Sequence, residues 1–186
     1  MLLSSARAQH TPALDSTAVA KSDTGSTAPV IMPPKPRPSP MAIAFHKEES
    51  MYLKVVYGQP SRKGREVFSE IAPYGKLWRT GANEATEITF TRDVKLGGKT
   101  LKAGTYTLFT IPNADKWTII LNSELGQWGE YKYDKAKDVL TFDVPAQKNN
   151  EAYEAFTIQF NETPTGADMA LLWDSIKVVV PFAFAR

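Results

Sequence analysis

Apolar and polar positions alternate along most of the chain from residue 41 onward, and almost none of the pattern has helical spacing. The clearest case runs from Thr86 to Thr91. Thr86, Ile88 and Phe90 share one parity, and Glu87, Thr89 and Thr91 the other, which predicts a strand with one buried face. The same period of two marks Met51 to Tyr57, Trp117/Ile119/Leu121, Leu140/Phe142/Val144 and Glu154/Phe156/Ile158/Phe160. Met41 to Phe45 is a weaker strand. Thr105 to Ile111 is partly apolar on both parities, as a central strand would be.

Turns punctuate this pattern. Gly97-Gly98 lies between two short alternating pieces and predicts a hairpin, because paired glycines accept the positive φ of a tight turn. Asp174-Ser175 predicts a second hairpin, joining Asp168 to Trp173 with Ile176 to Val180, and Pro181 ends the last strand. Glu66 to Ile71 is a short strand or a single helical turn, stopped by Pro73. Roughly nine or ten short strands without a long amphipathic helix predict an all-β fold. A two-sheet antiparallel β-sandwich, jelly-roll-like, is the natural solution, since each half-apolar sheet needs a second layer; a closed β-barrel is the alternative.

Composition changes at residue 41. Seven of the 13 prolines precede it, five of them between Pro33 and Pro40, and residues 9–40 contain no aromatic residue. Such a segment cannot repay its ordering entropy and predicts a flexible tether, stiffened near its prolines. A proline-motif ligand for a recognition domain is the alternative reading of the same prolines. Residues 1–8 end in Ala6-Arg7-Ala8, a small-x-small pattern that reads as the remnant of a signal peptide. The expected organisation is therefore a signal remnant and tether over 1–40, then one folded domain over 41–186, exported to the periplasm or beyond the cell.

Charge follows the same division. Arg7, Lys21, Lys35 and Arg37 against Asp15 and Asp23 give residues 1–40 a net +2. The remaining 18 basic and 18 acidic residues cancel (22 − 4 and 20 − 2), so the domain lacks the positive footprint that a phosphate backbone requires. Nucleic acid is not an expected partner, and no apolar run is long enough for a transmembrane segment.

Conventional catalytic groups are scarce. There is no cysteine, and of the two histidines only His46 falls in the domain, on an edge strand expected to face solvent. Thiolate chemistry, a histidine-rich metal site and a Ser–His–Asp triad are thereby set aside, and neither a metal nor a cofactor is expected. Carboxylates are more plentiful: Glu84, Glu87, Glu124, Glu130 and Asp134 could supply paired acid and nucleophile if two converged within about 5 to 9 Å.

The most unusual stretch is Pro73 to Thr91, in which glycines interrupt regular structure just before the clearest strand. Trp78, Arg79, Asn83 and Glu84 are its candidate ligand-binding residues, on a loop or edge held by a rigid sheet. The bland alternative is that Trp78 plugs the core while Arg79 pairs with Glu84 or Glu87. Asn122 to Asp138, the longest stretch without sheet periodicity, adds Trp128 and Tyr131. Rings beside amides and carboxylates suit noncatalytic binding of a glycan or peptide at the cell envelope, unless the loop folds back and buries them; a carboxylate-based hydrolase or isomerase, and a structural or assembly domain without a small ligand, are the alternatives. Arg62 and Arg65, in a short basic turn, are secondary candidates for an anion site. Trp117 and Trp173 sit within alternating strands and are expected in the core.

Tyr57 to Arg65, Pro73 to Thr86, Lys102 to Pro112 and Gln127 to Asp134 together resemble the DUF2911 family, over roughly residues 41–182. The resemblance implies an exported protein of a group found mainly in Bacteroidetes, often with a signal peptide. It carries no catalytic residue, cofactor or activity over to this chain. One departure is Ser69-Glu70, where members often have a glycine pair.

Overall fold

A computed structural model describes residues 36–49 and 51–184. The expected signal remnant and most of the tether lie outside the described residues.

The fold is all-β. Nine strands form a single antiparallel sheet: β1 (Met41–Glu48), β2 (Met51–Gly58), β3 (Thr86–Phe90), β4 (Val94–Leu96), β5 (Lys99–Leu101), β6 (Gly104–Pro112), β7 (Lys116–Asn122), β8 (Asp138–Thr163) and β9 (Gly166–Phe184). Their spatial order is β1-β2-β3-β6-β7-β8-β9-β4-β5, so the sheet ends at β1 and β5 and is not a closed barrel. The Gly97-Gly98 hairpin joins β4 to β5 as expected, and β6 is central, between β3 and β7.

Asp174-Ser175 does not turn the chain back. β9 runs through it and on past Pro181, and the hairpin lies instead between Thr163 and Gly166. Likewise, the alternating pieces at 140–144 and 154–160 belong to one strand. The register of β8 on β9 shifts between Lys148 and Tyr153 and again between Tyr153 and Thr157, where Tyr153 stands opposite Asp174. Asp174 has a φ of 50°. Extra residues on one strand bend it and raise its twist. These shifts break the alternation, which is why each long strand reads as two short ones.

One core takes side chains from the whole sheet. Leu53 and Val55 of β2, Ile88 and Phe90 of β3, Leu108 of β6 and Ile119 and Leu121 of β7 share it with Phe156 and Ile158 of β8 and Leu171, Trp173 and Val180 of β9. Beyond Gly58 the chain also meets β8. Arg62 N–H donates to Glu154 O, Phe156 N–H donates to Pro60 O, and the Tyr57 hydroxyl accepts from Ile158 N–H.

A second, smaller core covers the opposite face of the central strands. Phe109 and Ile120, adjacent on β6 and β7, are buried there with Ala85, and Leu77, Ile111 and Tyr133 pack on them. The 122–138 segment supplies this cover. Asn122 Nδ2 donates to Asp134 O and Asp138 Oδ1, Thr107 Oγ1 donates to Glu124 O, and the Tyr133 hydroxyl donates to Asp138 Oδ2. Burial, aided by Asp138, pushes the Tyr133 phenol well above the usual tyrosine range.

His46 is on the edge strand as expected but faces inward with Ala42 and Ala44, its side chain only 11% exposed beside the Phe184 ring. The edge strand turns its apolar residues outward instead: Met41, Ile43 and Phe45 are exposed.

Candidate functional site

Beyond the start of β3, where Thr86 pairs with Leu108, Trp78 takes over the ladder on β6 at Thr110. Its N–H and C=O exchange hydrogen bonds with Thr110 at 2.8 and 2.9 Å. This turns the indole inward. Trp78 is 3% exposed, stacks on Trp173 with ring centroids 5.4 Å apart, meets Trp117 and Phe156 edge-on, and donates Nε1–H to Gly81 O. The Trp78 ring therefore belongs to the core. Trp117 and Trp173 are buried as expected.

The next turn is held tightly. Thr80 is fully buried with a φ of 54°, a left-handed conformation that a β-branched residue adopts only under constraint. Its hydroxyl bonds the Thr110 hydroxyl, and its carbonyl accepts from Thr86 Oγ1. Gly58 supplies the space. A Cβ there would stand 2.0 Å from the carbonyl oxygen of Ala82, so only glycine lets the loop cross the end of β2.

Past this crossing the two unusual stretches of the sequence meet. Glu84 and Trp128 form an antiparallel bridge; Ala85 N–H donates to Gln127 O and Gly129 N–H to Asn83 O, each at 2.9 Å. Arg79 reinforces the junction. Its Nη1 donates to Asn83 O, and its Nε lies 3.5 Å from Glu130 Oε2, neither atom having a hydrogen-bond partner. Gly129, at a φ of 70°, leaves room for the guanidinium, whose Nη1 would lie 2.8 Å from a Cβ.

The junction separates two concavities. One, of about 220 Å³, is lined by Arg65, Trp78, Arg79, Asn83 and Trp128, with Ser39 at its margin. The other, of about 190 Å³, is lined by Met41, Val56, Glu84, Glu87 and Gln127. Trp128 is 60% exposed and Tyr131 76%, so the long loop packs a half-buried Tyr133 on the second core but leaves these two rings outside. Of the eight candidates, Arg79, Asn83, Glu84 and Trp128 are brought together, and Arg65 joins the first cleft. Tyr131 sits nearby, against Gly129.

Arg62 is placed elsewhere. It pairs with Asp174 at 2.5 Å, while Arg65 donates to the carbonyls of Arg62 and Ser61. The two cations therefore do not converge on one anion position.

Glu84 and Glu87 line one concavity, yet each carboxylate is engaged. Glu87 Oε1 accepts from Gly126 N–H, and Glu84 Oε2 accepts from Arg37 Nη2. The Arg37 bond holds the Glu84 carboxyl below its ordinary value of 4.5, opposite to what a proton-donating acid needs. Arg37 and Gln127 are site residues that the sequence did not single out. Gln127 is 7% exposed with Oε1 unpartnered, and its signal is its place beside Trp128. The signal for Arg37 was a cation between two prolines.

Among the described residues no group of His, Cys, Asp and Glu could hold a metal ion, and no helix is long and apolar enough to cross a membrane. No curated protein and no solved structure matches the chain. The family model described as "Protein of unknown function (DUF2911)" matches residues 39–182, and the chain belongs to that family.

Proposed function

We propose that this chain is an exported, noncatalytic binding module that holds a glycan or peptide at the cell envelope, with its recognition surface at the Glu84–Trp128 junction. The observation that carries this reading is an exposed indole, on backbone held by a bridge, beside a carboxylate, an amide and two clefts. A backbone held by the bridge needs little ordering on binding, and the indole it carries offers a flat apolar face, while Asn83, Arg65 and Glu84 supply polar contacts. Export is supported by the Ala6-Arg7-Ala8 pattern and by the tether's composition. We also read the bent sheet as functionally two layers of a sandwich, because its core joins β2, β3, β6 and β7 to the far parts of β8 and β9.

A glycan and peptide array tests the reading. The expected result is a defined set of ligands whose binding falls at least about tenfold in Trp128→Ala with unchanged melting. An array without ligands, or ligands indifferent to Trp128, would overturn it. The carboxylate-hydrolase alternative has less support, since the contact with Arg37 stabilises the ionised form of Glu84.

A further inference from the structure

Glu84 already has an occupant. Arg37 belongs to Pro36-Arg37-Pro38-Ser39-Pro40, the segment that leads directly into β1. Its guanidinium is hydrogen-bonded and ion-paired to the Glu84 carboxylate. Two residues on, Ser39 lines the cleft that Trp128, Asn83 and Arg79 also line. Pro40 O then accepts from Gln59 N–H at 2.8 Å and fixes the end of the segment against the sheet.

The sequence suits this segment to docking. A residue that precedes proline is confined largely to extended conformations, and both Arg37 and Ser39 precede one. Little freedom is left to lose when such a segment settles on a surface. An aromatic ring facing one cleft and a carboxylate facing the other, joined at one backbone bridge, match a chain of pyrrolidine rings carrying a cation.

We propose that the Glu84–Trp128 junction is a docking site for an extended, basic peptide flanked by prolines, and that this chain's own Pro36–Pro40 segment holds the site in cis. The inference rests on the binding reading above and names its ligand class. The latch is weak: the two side chains keep 34% and 41% of their surface in water, where an ion pair is worth about 0–1 kcal/mol. A peptide of the same chemistry can therefore displace the segment. A contact of this strength sets a closed-to-open ratio of about 1 to 4, so removing the latch raises the competent fraction by one plus that ratio, about two- to fivefold.

The test uses the full chain and an acetylated peptide Pro-Pro-Lys-Pro-Arg-Pro-Ser-Pro, the sequence of residues 33–40. Trp78, Trp117 and Trp173 are buried, so iodide quenching of the exposed Trp128 reports occupancy of the junction, with calorimetry as the second readout. Arg37→Ala is expected to bind the peptide about two- to fivefold tighter than the unmutated chain. Adding Glu84→Gln, or replacing the peptide's arginine with alanine, is expected to weaken binding about two- to fivefold. The proposal is overturned if Arg37→Ala fails to bind the peptide, or binds it no tighter than the unmutated chain. It is also overturned if the alanine peptide binds as well as the parent. Failure here, with array ligands that still depend on Trp128, leaves the broader binding reading standing; an empty array for both chains removes both.

Discussion

Trp78 and Trp173 lie nearly face to face, ring centroids 5.4 Å apart and planes 19° from parallel. One ring comes from the loop before β3 and the other from β9, so the contact joins distant parts of the chain through its largest side chains. Trp78→Ala should cost about 3–5 kcal/mol, the range for deleting a large buried aromatic. Trp128→Ala, on the surface, should stay within about 0.5 kcal/mol. Urea melts of both variants check this, and a Trp78→Ala midpoint close to that of the unmutated chain would remove Trp78 from the core.

Gly58 should tolerate no side chain. A Cβ 2.0 Å from a backbone carbonyl has no flexible group to push aside, so the loop carrying Thr80, Asn83 and Glu84 must lift. Gly58→Ala is expected to cost about 3 kcal/mol, the upper end of overpacking. It should also loosen the Trp128 bridge, seen as faster hydrogen exchange at the Gly129 amide. Gly64, whose Cβ would meet nothing, is the control for crowding, although its φ of 76° adds strain of its own.

Arg79→Ala leaves a buried acceptor on Glu130 without its cation. The expected loss is about 1–3 kcal/mol, smaller than for a fully enclosed pair because both side chains keep some water contact. Arg79→Ala with Glu130→Gln should recover part of it. A double-mutant cycle with zero coupling would show that the pair does not hold the junction.

The Arg37 contact should release in acid. The folded carboxyl of Glu84 lies below its ordinary value, chiefly through the hydrogen bond from Arg37. A depressed carboxyl value contributes stability that is present above the unfolded value and lost as pH falls through the folded one. The contact is thus complete above about pH 5 and gives way in more acid solution. Relaxation of the Ser39 amide should report faster motion there, and Glu84→Gln should show that motion at neutral pH. Constant relaxation from about pH 6 to pH 3 would contradict the assignment.

Much of this architecture was legible in the residue pattern, for physical reasons that also explain the misses. Thr86, Ile88 and Phe90 reveal β3 because only one of its faces meets the main core. Phe109 and Ile120 point to a covered outer face, and the 122–138 segment covers it. Asp174-Ser175 misleads because a bend within a strand and a turn between strands call for similar residues. His46 misleads because the edge strand here turns Ala42, Ala44 and His46 inward and exposes the larger Met41, Ile43 and Phe45. At the candidate site, local spacing marks Trp128, Asn83 and Glu84. It cannot show that Arg37 reaches Glu84, since a proline-rich stretch carries no periodicity from which to read a partner.

β8 pairs with β7 and β9, and β9 with β8 and β4, so these two long strands carry the sheet from β7 round to β4. No boundary exists at which one half could melt while the other kept its ladder, so heat or urea should produce a single transition at every probe. The order of strands also delays assembly. Among the described strands β4 and β5 join the ladder through β9, which follows them by about 65 residues or more, and such distant pairings must be closed before they are rewarded. Refolding should accordingly be slow for a chain of this length, and truncation within β9 should leave β4 and β5 with nothing to join.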